Sequence, residues 1–84
     1  MKHERRTIRK KITSENLNLL LCRKKRTEIR KDDFDCEIGD ILEFEVNGQL
    51  CATFNVRFVQ HITPEQCREW LGSECPTGLQ LIEF

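Results

Sequence analysis

Residues 23–31 read RKKRTEIRK, and residues 38–42, a little further on, read IGDIL. The first stretch gathers Arg23, Lys24, Lys25, Arg26, Arg30 and Lys31 around one carboxylate, Glu28. Taken as a strand, residues 26–31 alternate between two faces. Arg26, Glu28 and Arg30 share one face; Thr27, Ile29 and Lys31 share the other. Ile29 is the apolar member and is expected in the core, which leaves the Arg-Glu-Arg face lining a cleft or facing solvent. Lys25 stands at the strand entrance beside that face. A carboxylate between guanidiniums accepts charge-assisted hydrogen bonds that fix both donors. The donors left over suit an anion or a base edge. The plainer alternative is a solvated charge ladder on an edge strand, where Lys and Arg discourage edge-to-edge pairing.

Upstream, Thr13 or Ser14 caps a helix. Leu17, Leu20 and Leu21 fall at i, i+3 and i+4 and form its apolar stripe. It ends in Cys22-Arg23-Lys24-Lys25, where cations suit the C-terminal dipole. That accounts for some of the cations but not for Arg26 and Arg30, which follow the helix. Residues 1–11, with Ile8 in a basic background, form either a first strand or a basic arm able to track phosphates.

Downstream, the acidic Asp32-Asp33-Phe34-Asp35 segment and the Ile38-Gly39-Asp40 turn lead into a strand over 41–46. There Leu42, Phe44 and Val46 face the core, and Glu43 and Glu45 face out. Asn47-Gly48 marks a hairpin. A two-residue turn would put the apolar sets of the two strands on opposite faces. A three-residue loop or a bulge is therefore predicted, pairing Val46 with Leu50 and Phe44 with Ala52. The return strand runs from Leu50 to about Gln60, with Leu50, Ala52, Phe54, Val56 and Phe58 on its apolar face. Thr63-Pro64-Glu65-Gln66 is a capping box with Pro at the first helical position. The short helix it opens carries Cys67, Trp70 and Leu71 on one face, and Gly72 stops it. Trp70 is expected in the core, with a base-stacking platform as the alternative. A last strand over 79–84 buries Leu79 and Leu81, with Ile82 a further candidate.

The chain has 84 residues and reads as a single domain, 1–84, near the lower size limit for an independent core. This element order predicts an α+β fold, a small mixed β-barrel of about five strands with two short helices at its openings. The net charge of zero hides an uneven layout. Residues 1–31 hold twelve of the fourteen Lys and Arg against three acids, a net of +9; residues 32–84 hold a net of −9. Such asymmetry points to a basic partner surface, unless the acidic half neutralises it within the fold. No apolar run reaches membrane-spanning length, so no membrane association and a cytoplasmic location are expected. The five cysteines form no C-x-x-C pair and are expected as reduced, mostly buried thiols. A metal held by His61, Cys67 and Cys75 is the weaker alternative; no metal and no cofactor is assigned.

From Arg23 to Arg30 the chain resembles the ASCH family of the PUA-like superfamily. That family carries the motif G-x-K-x-x-E-x-R at a helix–strand junction. Lys25, Glu28 and Arg30 match its K, E and R, and Arg23 stands at the Gly position. Ile38 to Leu42 is similar to the turn and strand that follow the motif, and Leu81-Ile82-Glu83-Phe84 to the closing strand. The likeness is best over residues 12–60. It implies a PUA-like β-barrel with a cleft near the motif, and a role in binding RNA or a modified nucleoside. Some small members are amidohydrolases acting on acylated cytidine, with a Thr nucleophile where this chain has Glu28. Thr27 is one place off, on the opposite face of a strand, and this departure argues against that activity.

Three functions follow in order. The first is an RNA or nucleotide binding module in which Lys25, Arg26 and Arg30 contact phosphate, while Glu28 orients them or accepts from a base amino group. The second is a small hydrolase with Lys25 and Glu28 as its catalytic pair. Flanking guanidiniums that stabilise the carboxylate weaken it as a base. The third is a protein-interaction module of the kind found in phage or mobile elements, docking a charged partner.

Overall fold

The alternation of Leu42, Phe44 and Val46 builds the centre of the fold. A computed structural model describes residues 5–84. It contains β1 (Thr7–Lys11), α1 (Ser14–Leu21), β2 (Thr27–Lys31), β3 (Ile41–Val46), β4 (Gln49–Asn55), β5 (Phe58–Ile62), α2 (Pro64–Gln66) and β6 (Leu79–Glu83). A π-helical turn, Cys67–Leu71, prolongs α2. One sheet has the order β1-β3-β4 and the other β2-β6-β5. Among the described residues only the β1–β3 pairing is parallel, with Thr7 opposite Ile41 and Lys11 opposite Glu45. The α+β class is as the sequence predicts. Six strands stand in two three-stranded sheets rather than about five in one, and among the described residues no ladder closes them into a barrel. Of the basic segment 1–11, residues 7–11 form the first strand. Lys2 and His3 lie outside the described residues.

Both sheets and α1 feed one core. Leu42, Phe44 and Ile82 are wholly buried, and Ile12, Leu17, Leu20 and Val56 close around them. Phe54 and Phe84 pack edge-on against Phe44, with centroids 5.8 and 5.7 Å away. Thr13 is the cap of α1: its hydroxyl accepts from the Asn16 N–H at 3.2 Å. Leu21, at the last helical position, faces out rather than joining the stripe.

The hairpin combines both turn geometries weighed from the sequence. Asn47 and Gly48, with φ of 52° and 82°, make a two-residue turn that suits strand twist. Val46 therefore pairs with Gln49, not with Leu50. A bulge follows at once: Glu45 faces Leu50, Phe44 faces Ala52, and Cys51 is the extra residue. The bulge puts Ala52 and Phe54 back on the core side and leaves Leu50 exposed.

The expected single return strand is two strands in different sheets. At the corner between them, Val56 N–H donates to Asp40 O at 2.8 Å and Arg57 N–H to Glu83 O at 2.7 Å. Crossing this corner shifts the alternation, so Val59 packs on the core and Phe58 is exposed.

Facing is also inverted in β2 and β6. Residues directly opposite each other in an antiparallel pair share a face. Glu28 lies opposite Ile82 and Arg30 opposite Gln80, all turned inward, while Ile29 lies opposite Leu81 on the outer side. Gln80 and Ile82 are therefore the buried pair, not Leu79 and Leu81. Ile29 is 59% exposed rather than in the core. Gln80 tolerates burial because its Nε2 donates to Phe34 O at 3.0 Å and Lys31 O at 3.3 Å. Trp70 and Leu71 are exposed as well. The π-turn closes i→i+5 instead of i→i+4, so residues three and four along no longer stack over the buried Cys67.

Candidate functional site

The chain leaves α1 through a left-handed cap. Arg23 takes φ of 62°. Its N–H donates to Leu20 O at 3.2 Å, and Lys25 N–H folds back to Leu19 O at 3.0 Å. This hook aims Lys25 into the space between α1 and the start of β2. β1 and β2 are edge strands of different sheets. The seam between them opens as a cleft of about 380 Å³, walled by residues 11–13 and Asn16 on one side and by Lys25 and residues 27–30 on the other.

Glu28 is the centre of this cleft, with its side chain only 7% exposed. Its two oxygens are divided between two cations. Lys25 Nζ donates to Oε1 at 2.8 Å and Arg30 Nη2 to Oε2 at 2.8 Å. A carboxylate this deep is tolerable only when paired and hydrogen-bonded. Lys25 also donates to Asn16 Oδ1 at 3.4 Å. Arg30 Nη2 reaches across the seam to Lys11 O at 2.6 Å, so the guanidinium ties the edges of the two sheets together. Its face lies over the Phe44 ring, 5.8 Å from the centroid. Its Nε is buried without a partner among the described residues. Two cations around one anion leave the cleft with a net positive charge, preorganised donors and a carboxylate acceptor.

Lys25, Glu28 and Arg30 are thus brought together as the sequence predicts. Arg26 is not: it precedes β2, is exposed, and borders a different groove. Thr27, which alternation sets across the strand from Glu28, nonetheless borders the cleft together with Ile29. Asn16 and the Lys11 carbonyl are contributors that sequence reasoning missed. Asn16 carried a signal, being a polar residue four positions before Leu20 on the apolar stripe. The Lys11 carbonyl carried none, since any backbone could supply it.

The weaker metal candidates do not converge. His61 Nδ1 lies 2.9 Å from Asp32 Oδ2. Burial and then a hydrogen bond with Cys75 push the Cys67 thiol above its ordinary pKa. Among the described residues no three His, Cys, Asp or Glu side chains come together as a metal site requires. All five cysteines are free; Cys36 and Cys67 are buried, whereas Cys22 and Cys51 are exposed rather than buried as expected. No helix of the described residues is long and apolar enough to cross a membrane.

Fold and site together define a small α+β domain with a Lys–Glu–Arg cluster set in the seam between two sheets. The solved structure of the hypothetical protein PH0355 is similar in fold, with a TM-score of 0.65 at 20% identity over 93% of this chain and 95% of that one. No family model and no curated protein matches the chain.

Proposed function

We propose that this chain is a PUA-like domain of the ASCH kind, its two sheets wrapping as a barrel, and that the cleft binds RNA or a modified nucleotide in the cytoplasm. The observation that carries the reading is the division of the Glu28 carboxylate between Lys25 and Arg30 in an open cleft. A carboxylate held in this way accepts from an exocyclic amino group, as on cytosine N4. The cations beside it take phosphate. The volume lies in the lower part of the range for small-ligand pockets. Free thiols suit a reducing compartment.

The test is fluorescence anisotropy with labelled single-stranded RNA and DNA at low and moderate salt, with Lys25→Ala and Arg30→Ala alongside. Binding that weakens with salt and drops in both folded variants is the expected result. Absence of binding even at low salt overturns the reading, and recovery of a stoichiometric protein partner without nucleic acid points to an interaction module instead.

The 2.8 Å contact between Lys25 Nζ and Glu28 supports a second reading, hydrolysis of an acylated nucleoside. It requires turnover of such a substrate that disappears in Glu28→Gln.

A further inference from the structure

Lys25 borders a second concavity as well as the first. This groove, of about 470 Å³, lies between the end of α1, the β4–β5 corner and the end of β6. Its rim carries Arg23, Arg26 and Arg57. Among the described residues no carboxylate lies within ion-pair distance of these three guanidiniums. Glu83 is the carboxylate that borders the groove. The floor is apolar, with the Phe54 and Phe84 rings 5.2 Å apart at their centroids. Arg6, Arg9, Arg30 and Arg68 have carboxylate partners. Of the other described arginines, Arg5 lies away from the groove, and the three that remain are gathered on it.

A separate observation points the same way. Arg23 holds a left-handed backbone, with φ of 62°. That conformation favours glycine, and L side chains meet their own backbone there. The helix C terminus welcomes a cation, but Lys24 and Lys25 already supply that charge. Residues kept in a strained conformation cluster at functional sites. What the Arg23 side chain adds is a third guanidinium on the groove.

We infer that the two concavities form one path for a single-stranded polynucleotide that crosses at Lys25. One nucleobase enters the Glu28 cleft, and the neighbouring phosphates lie on Arg23, Arg26 and Arg57, with a base face against the phenylalanine floor. The inference rests on the nucleic-acid reading of the first cleft and narrows it from a free nucleotide to a strand. Guanidiniums without internal partners above an aromatic floor match a phosphate backbone carrying bases.

The experiment compares two probes, a nucleoside 5′-monophosphate followed by calorimetry and a single-stranded RNA of about six nucleotides followed by anisotropy. The proteins are wild type, the Arg26→Ala/Arg57→Ala double variant, Arg23→Gly, Lys25→Ala and Arg30→Ala. The side chains removed in the double variant make no ion pair with described residues, so its fold is expected to hold. The double variant should bind the oligonucleotide roughly tenfold more weakly, and its salt slope should fall by about 0.7 for each phosphate that is no longer neutralised. Its affinity for the monophosphate should be unchanged. Arg23→Gly should weaken oligonucleotide binding while the melting temperature holds or rises, which a purely structural role would not produce. If the double variant binds the oligonucleotide as wild type does while Lys25→Ala and Arg30→Ala lose it, the path is overturned and the first cleft stands. If Lys25→Ala and Arg30→Ala bind normally while the double variant does not, the first cleft and the continuous path are both overturned. If wild type binds the monophosphate and the oligonucleotide equally, the path is overturned.

Discussion

Arg6 holds Asp40 at two points. Its backbone N–H donates to Oδ1 at 3.2 Å and its Nη2 donates to Oδ2 at 3.0 Å. Asp40 is wholly buried, and its Oδ2 accepts the Glu37 N–H at 2.9 Å as well. The carboxylate holds the Arg6 guanidinium above its ordinary pKa through that hydrogen bond. The pair fixes the start of β1 against β3, where Ile41 N–H donates to Arg6 O at 2.8 Å. Asp40→Ala should cost about 3 kcal/mol, because it strips a buried acceptor from several donors at once. Arg6→Met should cost less, its side chain being partly solvated. Urea denaturation of the two variants gives the comparison.

Arg30 and Arg26 lie four residues apart and differ in what they hold. Arg30 neutralises a buried carboxylate and bridges the seam; Arg26 is exposed. Arg30→Met should destabilise by about 1–3 kcal/mol, below the range for a fully buried pair because its side chain remains partly solvated. Arg26→Met should stay within about 0.5 kcal/mol of wild type. Equal losses in chemical denaturation would contradict the bridging role.

Arg23→Gly should raise stability by about 0.5 kcal/mol. Relief of the left-handed backbone outweighs the added freedom of the unfolded chain and the missing cation at the helix end. A lower melting temperature would show that the Arg23 side chain contributes to the fold.

Gly78 and Gly48 both have positive φ, 76° and 82°, but different surroundings. A methyl group on Gly48 meets nothing, whereas one on Gly78 runs into the Ile62 carbonyl and crowds Pro64 Cδ. Gly48→Ala should cost about 1 kcal/mol from backbone strain alone. Gly78→Ala should cost about 3 kcal/mol, since β5 must also shift. Melting of the two variants in parallel separates strain from collision.

Cys36 supplies a pH dependence. Burial, and then the charge of Asp40, push its thiol from 9.0 to about 11. The unfolded chain therefore releases this proton first as pH rises. The contribution to stability is complete below about pH 9 and is lost by about pH 11. The measurement is the difference between wild type and Cys36→Ala. Their denaturation midpoints should converge between pH 9 and pH 11.

The local chemistry of this chain was legible, and the choice of face was not. Alternation in residues 26–31 separated Glu28 and Arg30 from Ile29 correctly. Hydrophobicity then assigned Ile29 to the core, because single-residue burial costs take no account of a carboxylate neutralised from both sides. The same omission reversed β6, where Gln80 is buried by hydrogen bonds to two carbonyls. The bulge at Cys51 could be inferred from the clash of apolar phases across the hairpin. The corner at Val56 and Arg57 could not, because unbroken alternation looks the same within one sheet and across two. Of the site, the three charged members were visible from their spacing. The partners supplied by α1 and β1 depend on how distant elements meet, which no local pattern encodes.

Arg30's bond to the Lys11 carbonyl spans 19 positions, and the Arg6–Asp40 pair that seats β1 spans 34. Contacts between distant residues carry the largest loop-closure cost in folding. β1 is therefore held by a partner strand, β3, that comes much later in the chain. The Glu28 cleft has its second wall only after β1 has docked on β3. The binding proposed for this cleft would accordingly report completion of the whole fold, and should disappear with denaturant at the same midpoint as the global unfolding signal.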